Sequence, residues 1–207
     1  EPADAPSFVS VASDGSFSVA LVGAPTDVIR FQVKQAEISQ PVDLRNIAAL
    51  VAQSEKALLF SHVVGYSMPV VSGLFQSRRR MALAMGVSYE KIEEKFRLAM
   101  EHPIEPVRIK EAPVKEVILT DSKVDLYRLP VPVFSVLDGG PMITGGVVIA
   151  EDPEFGMNAG MYRLMVKEKT ITGIDIVTPN NLRRYAERAL ATQRPLPISI
   201  AIGAHPF

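Results

Sequence analysis

The sequence predicts an α+β protein with an N-terminal α/β domain and a C-terminal domain built mainly of strands. In residues 43–101, apolar side chains recur at helical spacing in three segments that alternate with short apolar runs. From Ile143 onward, most segments are short, rich in Val, Ile and Thr, and separated by turn residues. With 207 residues, of which 47% are hydrophobic, the chain can bury a sizeable core.

The N-terminal domain is predicted to begin with strands and to continue with three helices. The predicted strands cover residues 7–23 (a hairpin or an added edge), 29–33, 57–64 and 70–71. The predicted helices cover residues 43–52, 77–86 and 88–101. Asp43 and Ser77 are suitable N-caps, and Gly86 is suited to end the second helix. The third helix is predicted to have an inner apolar stripe of Ile92, Phe96 and Met100.

A proline-rich segment separates the two domains. It runs from Pro103 to Pro113 and contains three prolines, which interrupt both helices and central strands. We therefore expect an N-terminal domain of residues 1–110 and a second domain of residues 111–207. The predicted strands of the second domain cover residues 114–119, 143–150, 157–167, 171–177 and 198–202.

One helix is predicted to interrupt these strands. Thr178 is its expected N-cap, and Pro179 is suited to the first turn. The predicted apolar face consists of Leu182, Tyr185, Ala186, Ala189 and Leu190. Several strands with one crossing helix fit a partly open β-barrel.

Composition and charge exclude several classes of function. With 22 basic and 23 acidic residues, the net charge of −1 gives no reason to expect binding to nucleic acid or to a membrane surface. The sequence has no cysteine, which excludes disulfides and thiolate chemistry. No apolar run approaches the roughly 18 residues of a membrane span, and the N-terminal residues lack the pattern of an export signal. We therefore expect a cytoplasmic protein without a membrane span.

The stretch from Asp125 to Arg163 carries the strongest chemical signal. It is predicted to open with a proline-stiffened extended arm and to turn at Asp138–Pro141. Two strands follow, joined by a hairpin loop at residues 152–156. The second strand contains the sequence NAGMYR, residues 158–163.

Alternation along that strand sends Asn158, Gly160 and Tyr162 to one face and Ala159, Met161 and Arg163 to the other. An amide, a backbone left open by glycine and a guanidinium suit an anionic or phosphate-bearing ligand. The alternative is an ordinary hairpin asparagine and a surface arginine. Spacing alone leaves both interpretations open.

Several motifs together resemble the UbiD family of decarboxylases, which use prenylated FMN. In chain order they are ALLFSHVVGYSMPVVSGLFQSRRRMALAMG, DLYRLPVP, DGGPMITGG, EDP, NAGMYR and PLPISIAIGAHP. Family members are more than twice as long, so the chain resembles their N-terminal portion. The resemblance implies an N-terminal α/β domain followed by the first part of a split β-barrel flavin-binding domain.

The resemblance also implies a reaction. Because no side chain in the sequence can accept the electrons that a decarboxylation releases, a cofactor must be the electron sink. In the family, prenylated FMN forms a covalent adduct with an aromatic or α,β-unsaturated carboxylic acid and carbon dioxide leaves reversibly. A divalent metal (Mn²⁺ or Mg²⁺) and K⁺ anchor the cofactor.

By the same resemblance, Arg163 is the catalytic arginine, which orients the substrate carboxylate and tunes a glutamate. Asn158 and Asn181 are the expected metal ligands. Tyr162 belongs to the segment that lines the cofactor, but it is expected only to pack in the barrel and has no catalytic role. The expected cofactor-binding residues are Asn158, Ala159, Gly160, Met161, Tyr162, Arg163, Asn180 and Asn181. Some relatives have a histidine where this sequence has Asn181, and a neutral oxygen donor favours a hard ion such as Mg²⁺.

The family's two catalytic glutamates and one metal-binding glutamate lie beyond the equivalent of residue 207. We therefore expect residues 1–207 alone to be inactive, the full-length enzyme to be a homo-oligomer, and a flavin prenyltransferase to supply the cofactor. The alternative is a non-catalytic flavin-binding or assembly module that works with another chain.

The arginine run at residues 78–80 and the three histidines are the other candidates for ligand binding. Residues 78–80 are three consecutive arginines, which suit either a phosphate or ion pairs on a solvated face. His62 and His102 are expected to be structural or surface residues. His205 follows a strand end that lies near the flavin in the family.

Overall fold

The computed structural model describes residues 9–11, 17–22, 28–33, 36–105, 107–110 and 112–204. These residues form two compact units. The described residues up to Val124 belong to the first unit, and Asp125–Ala204 form the second. Both contain helices and sheets, which confirms the predicted α+β class.

The first unit contains two three-stranded sheets and three helices. The antiparallel sheet has the order β1-β2-β3, with β1 at Val9–Val11, β2 at Phe17–Val22 and β3 at Val28–Val33. The mixed sheet has the order β4-β5-β6, with β4 at Ala36–Ile38, β5 at Leu58–Phe60 and β6 at Val70–Ser72. The helices are α1 at Leu44–Ala52, α2 at Arg78–Ala84 and α3 at Ile92–Glu101.

Helix α1 follows the prediction closely. Asp43 is its N-cap, and its carboxylate accepts a hydrogen bond of 2.9 Å from the backbone N–H of Arg45. The buried residues of α1 are Ile47 and Val51, which join a core cluster with the middle strand β5. That cluster consists of Val42, Ile47, Val51, Leu58, Phe60 and Val63.

Three predictions for residues up to Val124 are wrong in detail, and the last of them concerns a strand that was expected in the second domain. Phe96 and Met100 are exposed, so that Ile92 is the only buried residue of the expected stripe on α3. The predicted strand at residues 57–64 ends at Phe60, where the chain turns. Residues 114–119 form a 3₁₀ turn and irregular backbone, because no strand of the described residues pairs with them. An apolar run without a pairing partner cannot form a ladder.

The second unit is a four-stranded antiparallel sheet with one helix packed against it. The strand order is β10-β7-β8-β9. The strands are β7 at Met142–Asp152, β8 at Gly156–Glu168, β9 at Ile171–Ile174 and β10 at Ile198–Ile202, and helix α4 covers Asn181–Ala191. The core between sheet and helix consists of Val131, Ile143, Val148, Ala150, Leu164, Val166, Leu182 and Tyr185.

The start of α4 corrects the sequence prediction. The helix begins at Asn181, and its N-cap is Asn180 rather than Thr178. Asn180 takes this position because its side-chain oxygen accepts a hydrogen bond of 2.9 Å from the backbone N–H of Arg183. At the other end, Leu190 is exposed rather than part of the apolar face.

Two further segments differ from the prediction. The expected strand at residues 171–177 ends at Ile174. The expected extended arm begins instead with a 3₁₀ turn at Leu126–Arg128, which Asp125 caps by accepting the backbone N–H of Tyr127. In the part of the chain that the structure describes, no helix has the length and apolar character needed to cross a membrane.

Candidate active site

The β7–β8 hairpin positions the NAGMYR residues. Its register pairs Asn158 with Ala150 and Gly160 with Val148. Side chains from even-numbered positions of β8 face α4, where Leu164 and Val166 are buried. Asn158, Gly160 and Tyr162 therefore share the helix-facing side, as the alternation predicted. Ala159, Met161 and Arg163 lie on the opposite side, which we call the open face.

The helix-facing side brings the two expected metal ligands together. The side-chain N–H of Asn181 donates a hydrogen bond of 3.0 Å to the amide oxygen of Asn158. These residues are 23 positions apart in the sequence, so the packing of α4 on β8 creates the contact. We call these two residues the asparagine pair.

Tyr162 makes a second contact between β8 and the start of α4. Its hydroxyl donates to the side-chain oxygen of Asn180 over 3.3 Å. Its ring lies over Gly160, where an added Cβ would be 2.9 Å from the ring atom Cε2. A glycine at residue 160 is therefore needed for this ring position.

The donor set at the asparagine pair fits a hard cation only if an anion completes it. Both amide oxygens are neutral, and hard divalent cations prefer a shell that includes charged oxygens. Among the described residues, no three His, Cys, Asp or Glu side chains lie close enough together to hold a metal. A phosphate group would supply the missing negative charge.

Arg163 lies on the open face with a weak partner. Its Nε atom is 3.9 Å from a carboxylate oxygen of Asp175, and its side chain is 67% exposed. The backbone N–H of Asp175 donates to the carbonyl of Arg163 over 3.0 Å. Most of the guanidinium is therefore accessible to an anionic ligand.

A shallow concavity of about 330 Å³ surrounds Arg163. Its lining combines apolar side chains with the charged groups of Arg163, Lys167 and Asp175. Sequence reasoning missed Lys167 and Asp175. The register of β8 with β9 could have indicated Asp175, because Asp175 lies opposite Arg163 when Leu164 pairs with Ile174.

Two of the three consecutive arginines of α2, Arg78 and Arg80, make contacts within the first unit. Arg80 donates to the backbone carbonyls of Leu74, Glu55 and Gly73 at 2.8–2.9 Å. Arg78 pairs with Glu93 at 3.2 Å. These contacts favour the ion-pair interpretation over the phosphate interpretation.

The histidines add nothing to the described site. His62 and His102 are exposed, as expected for surface residues. His205 lies outside the described residues.

The hairpin loop contains a buried carboxylate, Asp152, whose side chain is 7% exposed. Burial alone raises its pKa. The backbone N–H groups of Glu154 and Phe155 and the Arg188 guanidinium outweigh that effect, and the pKa of Asp152 falls below its ordinary value of 3.8. Because the folded state depresses this pKa, the ionised group stabilises the unit above pH 3.8, and this stabilisation is lost as pH falls through the folded-state pKa.

We therefore expect the second unit to open more readily in acid. Hydrogen exchange of the β7–β8 amides, corrected for the intrinsic rate, should show protection that falls below about pH 4. In the Asp152→Asn variant, protection should be lower at neutral pH and should depend less on pH. An Asp152→Asn variant with the same acid dependence as the unaltered protein would contradict this assignment.

Comparisons with known proteins match both parts of the chain. Residues 33–99 match the 3-octaprenyl-4-hydroxybenzoate carboxy-lyase N-terminal domain, and residues 105–207 match the Rift-related domain of the same carboxy-lyase. Together these two matches cover most of the sequence.

Curated relatives include decarboxylases. The chain is 34% identical over 174 residues to anhydromevalonate phosphate decarboxylase from Methanosarcina mazei, covering 84% of this chain and 40% of the relative. It is 30% identical over 173 residues to phenolic acid decarboxylase from Sedimentibacter hydroxybenzoicus, covering 77% of this chain and 36% of the relative. The chain thus spans about two fifths of the length of these relatives.

Solved structures give the same assignment. The UbiD-class enzyme HmfF from Pelotomaculum thermopropionicum, in complex with FMN, matches with a TM-score of 0.77 and 39% identity over 84% of this chain and 40% of that chain. Vanillic acid decarboxylase from Sedimentibacter hydroxybenzoicus, in its closed form, matches with a TM-score of 0.74 and 28% identity over 82% of this chain and 40% of that chain. The protein therefore belongs to the UbiD family.

Proposed function

We propose that the protein contributes to a prenylated-FMN-dependent decarboxylase that acts reversibly on an aromatic or α,β-unsaturated carboxylic acid. The contact of Asn181 with Asn158, on the strand that also carries Arg163, is the observation that supports this most directly. The likeness to HmfF, which was solved with FMN, supports the flavin. Flavin binding is placed by this proposal in residues 111–207, with residues 1–110 as the other domain, whereas the compact units of the described residues divide between Val124 and Asp125.

The asparagine pair would hold the phosphate end of the cofactor through a divalent metal, with K⁺ as a second cation. In the contact described above, Asn181 directs its N–H toward the Asn158 oxygen, so the Asn181 amide would have to turn to offer its own oxygen. Two neutral oxygens and a phosphate would then suit Mg²⁺ or Mn²⁺. When bound, prenylated FMN supplies the electron sink for decarboxylation through a covalent bond to the unsaturated acid. The cofactor would also be lined by the backbone of Ala159, Gly160 and Met161 and by the side chains of Tyr162 and Asn180.

Arg163 would bind and orient the substrate carboxylate. Its guanidinium offers several donors in a fixed fork, and its only ion pair among the described residues is the long contact to Asp175. A carboxylate that approaches Arg163 can therefore replace a weak interaction with a strong one. The positive charge of Arg163 also favours the ionised form of a nearby carboxyl group.

The whole enzyme would have further requirements. A flavin prenyltransferase supplies the cofactor, and the enzyme assembles as a homo-oligomer. The polypeptide of residues 1–207, tested by itself, is expected to release no carbon dioxide, because the resemblance places neither of the family's two catalytic glutamates among these residues. Carbon dioxide release by that polypeptide would contradict this expectation.

Flavin binding tests the proposal. The protein is produced together with a flavin prenyltransferase, purified with Mn²⁺ and K⁺, and examined by visible absorbance after gel filtration. We expect a flavin spectrum, with binding about 10- to 100-fold weaker in Asn158→Ala and weaker in Arg163→Ala. Arg128→Ala, an exposed arginine of the same unit, is the matched control and should bind flavin normally. A folded protein that stays colourless would contradict the proposal.

A flavin-binding or assembly module without its own chemistry is the second candidate. This second candidate is favoured by the asparagine pair, which is neutral and has no acidic cluster beside it among the described side chains to complete a metal centre. The full-length protein distinguishes the two: a decarboxylase would release carbon dioxide without another chain, whereas a module would bind flavin but need a partner chain for carbon dioxide release.

A further inference from the structure

The tip of the β7–β8 hairpin is joined to α4 by an ion pair between the buried carboxylate of Asp152 and the exposed guanidinium of Arg188. Among the described residues, Asp152 is the only charged residue that is buried, with 6% exposure. One of its oxygens accepts the backbone N–H groups of Glu154 and Phe155, at 2.9 and 3.1 Å. The other oxygen accepts Arg188 Nε at 3.1 Å. One carboxylate oxygen therefore binds the backbone of the loop, and the other binds the helix.

Phe155 adds an aromatic contact to the same junction. Its ring centre lies 3.9 Å from the Arg184 guanidinium carbon and 4.9 Å from that of Arg188. Its ring stacks on Tyr185 with 6.3 Å between centres, and the Tyr185 hydroxyl donates to the Phe155 carbonyl over 3.4 Å. We call the contacts of residues 152–155 with Arg184, Tyr185 and Arg188 the hairpin clamp.

The hairpin clamp and the asparagine pair hold the same helix at two separate places. Arg188 follows Asn181 by seven residues, which is about 10 Å along a helix axis. A helix held at one end can pivot about that end, whereas a second attachment about two turns away fixes its direction. The buried side chains of Leu182 and Tyr185 hold α4 against the sheet between these two places, and the contact with Arg188 adds an attachment near its other end.

We propose that Asp152 and Arg188 are positioning residues, which set the direction of α4 and thereby hold Asn181 against Asn158. The relevance of this to flavin binding rests on the proposed function, since the asparagine pair is assigned there to the cofactor. The effect on the asparagine pair itself does not depend on any ligand.

The side-chain amide signals of Asn158 and Asn181 in a ¹⁵N–¹H NMR spectrum test the proposal directly. We expect these signals to shift in Arg188→Gln and to return toward their original positions in Arg188→Lys, which restores the charge facing Asp152. The matched control is Arg194→Gln, since Arg194 belongs to no ion pair among the described residues of the same unit. Unchanged Asn181 signals in a folded Arg188→Gln protein would overturn the proposal.

Circular dichroism establishes whether Arg188→Gln is folded. If it is not, Glu154→Gln replaces it, because Glu154 pairs with the other side of the Arg188 guanidinium at 2.7 Å and its loss leaves Asp152 paired. That variant should shift the same Asn181 signals in the same direction, but less. Absence of any shift would again overturn the proposal.

Titration with FMN in the presence of Mn²⁺ and K⁺ separates this proposal from the proposed function. We expect Arg188→Gln to bind FMN about 10-fold more weakly and Arg194→Gln to bind it as the unaltered protein does. If the unaltered protein binds no FMN while the Asn181 signals still respond to Arg188→Gln, the proposed function fails and the positioning role stands. If FMN binds and Arg188→Gln leaves both FMN affinity and the Asn181 signals unchanged, the positioning role fails.

Discussion

Leu164→Ala is expected to destabilise the second unit by about 2–5 kcal/mol. Leu164 has 0% exposure and belongs to the cluster between the sheet and α4. The substitution removes buried apolar contacts and leaves a cavity, and strands on both sides of β8 limit its collapse. Because Leu164 follows Arg163 directly on β8, the loss of packing should also loosen the candidate site.

Hydrogen exchange of the β7 and β8 amides measures this effect within the second unit. The free energy of opening for these amides should fall by about the stated amount. Leu190→Ala is the matched control, because Leu190 is a leucine of the same unit that is 78% exposed. Equal losses of protection in the two variants would show that burial of Leu164 does not govern the stability of the sheet.

Ile47→Ala is expected to have a similar effect, about 2–5 kcal/mol, on the first unit. Ile47 has 1% exposure, lies on α1 and packs in the cluster with Phe60 of β5. Alanine is the better helix former, but that gain is less than about 0.7 kcal/mol and offsets little of the cavity cost.

Protection of the β5 amides measures the effect of Ile47→Ala, with Ile104→Ala as control. Ile104 is an isoleucine of the same unit with 93% exposure, so its truncation should change little. If Ile104→Ala proved the more damaging substitution, the assignment of the core to the α1–β5 contact would be wrong.

The local elements of both units could be predicted to a large extent from the sequence. The N-cap at Asp43, the hairpin at residues 152–156 and the strand at Ile198–Ile202 depend on interactions between near neighbours or on a clear apolar pattern. The division of the NAGMYR residues between two faces follows from strand alternation alone. The family resemblance was equally accessible, because it rests on several motifs in order.

The predictions that failed concern burial and pairing. The stripe on α3 and the segment at residues 114–119 have suitable apolar patterns, but a pattern does not state whether a partner surface exists. Thr178 and Asn180 are both acceptable N-caps, and the side-chain hydrogen bond to Arg183 decides between them.

The fold class, most elements and the division of residues between the two sides of β8 follow from spacing along the chain, so they could be predicted. Packing between distant segments brings Asn181 to Asn158 and Arg188 to Asp152, whereas Asp175 lies beside Arg163 through the pairing of β8 with β9. Two of these contacts, those of α4 with the hairpin, join residues 23 and 36 positions apart. They exist because α4 packs across the sheet, and no local pattern in the sequence specifies that packing.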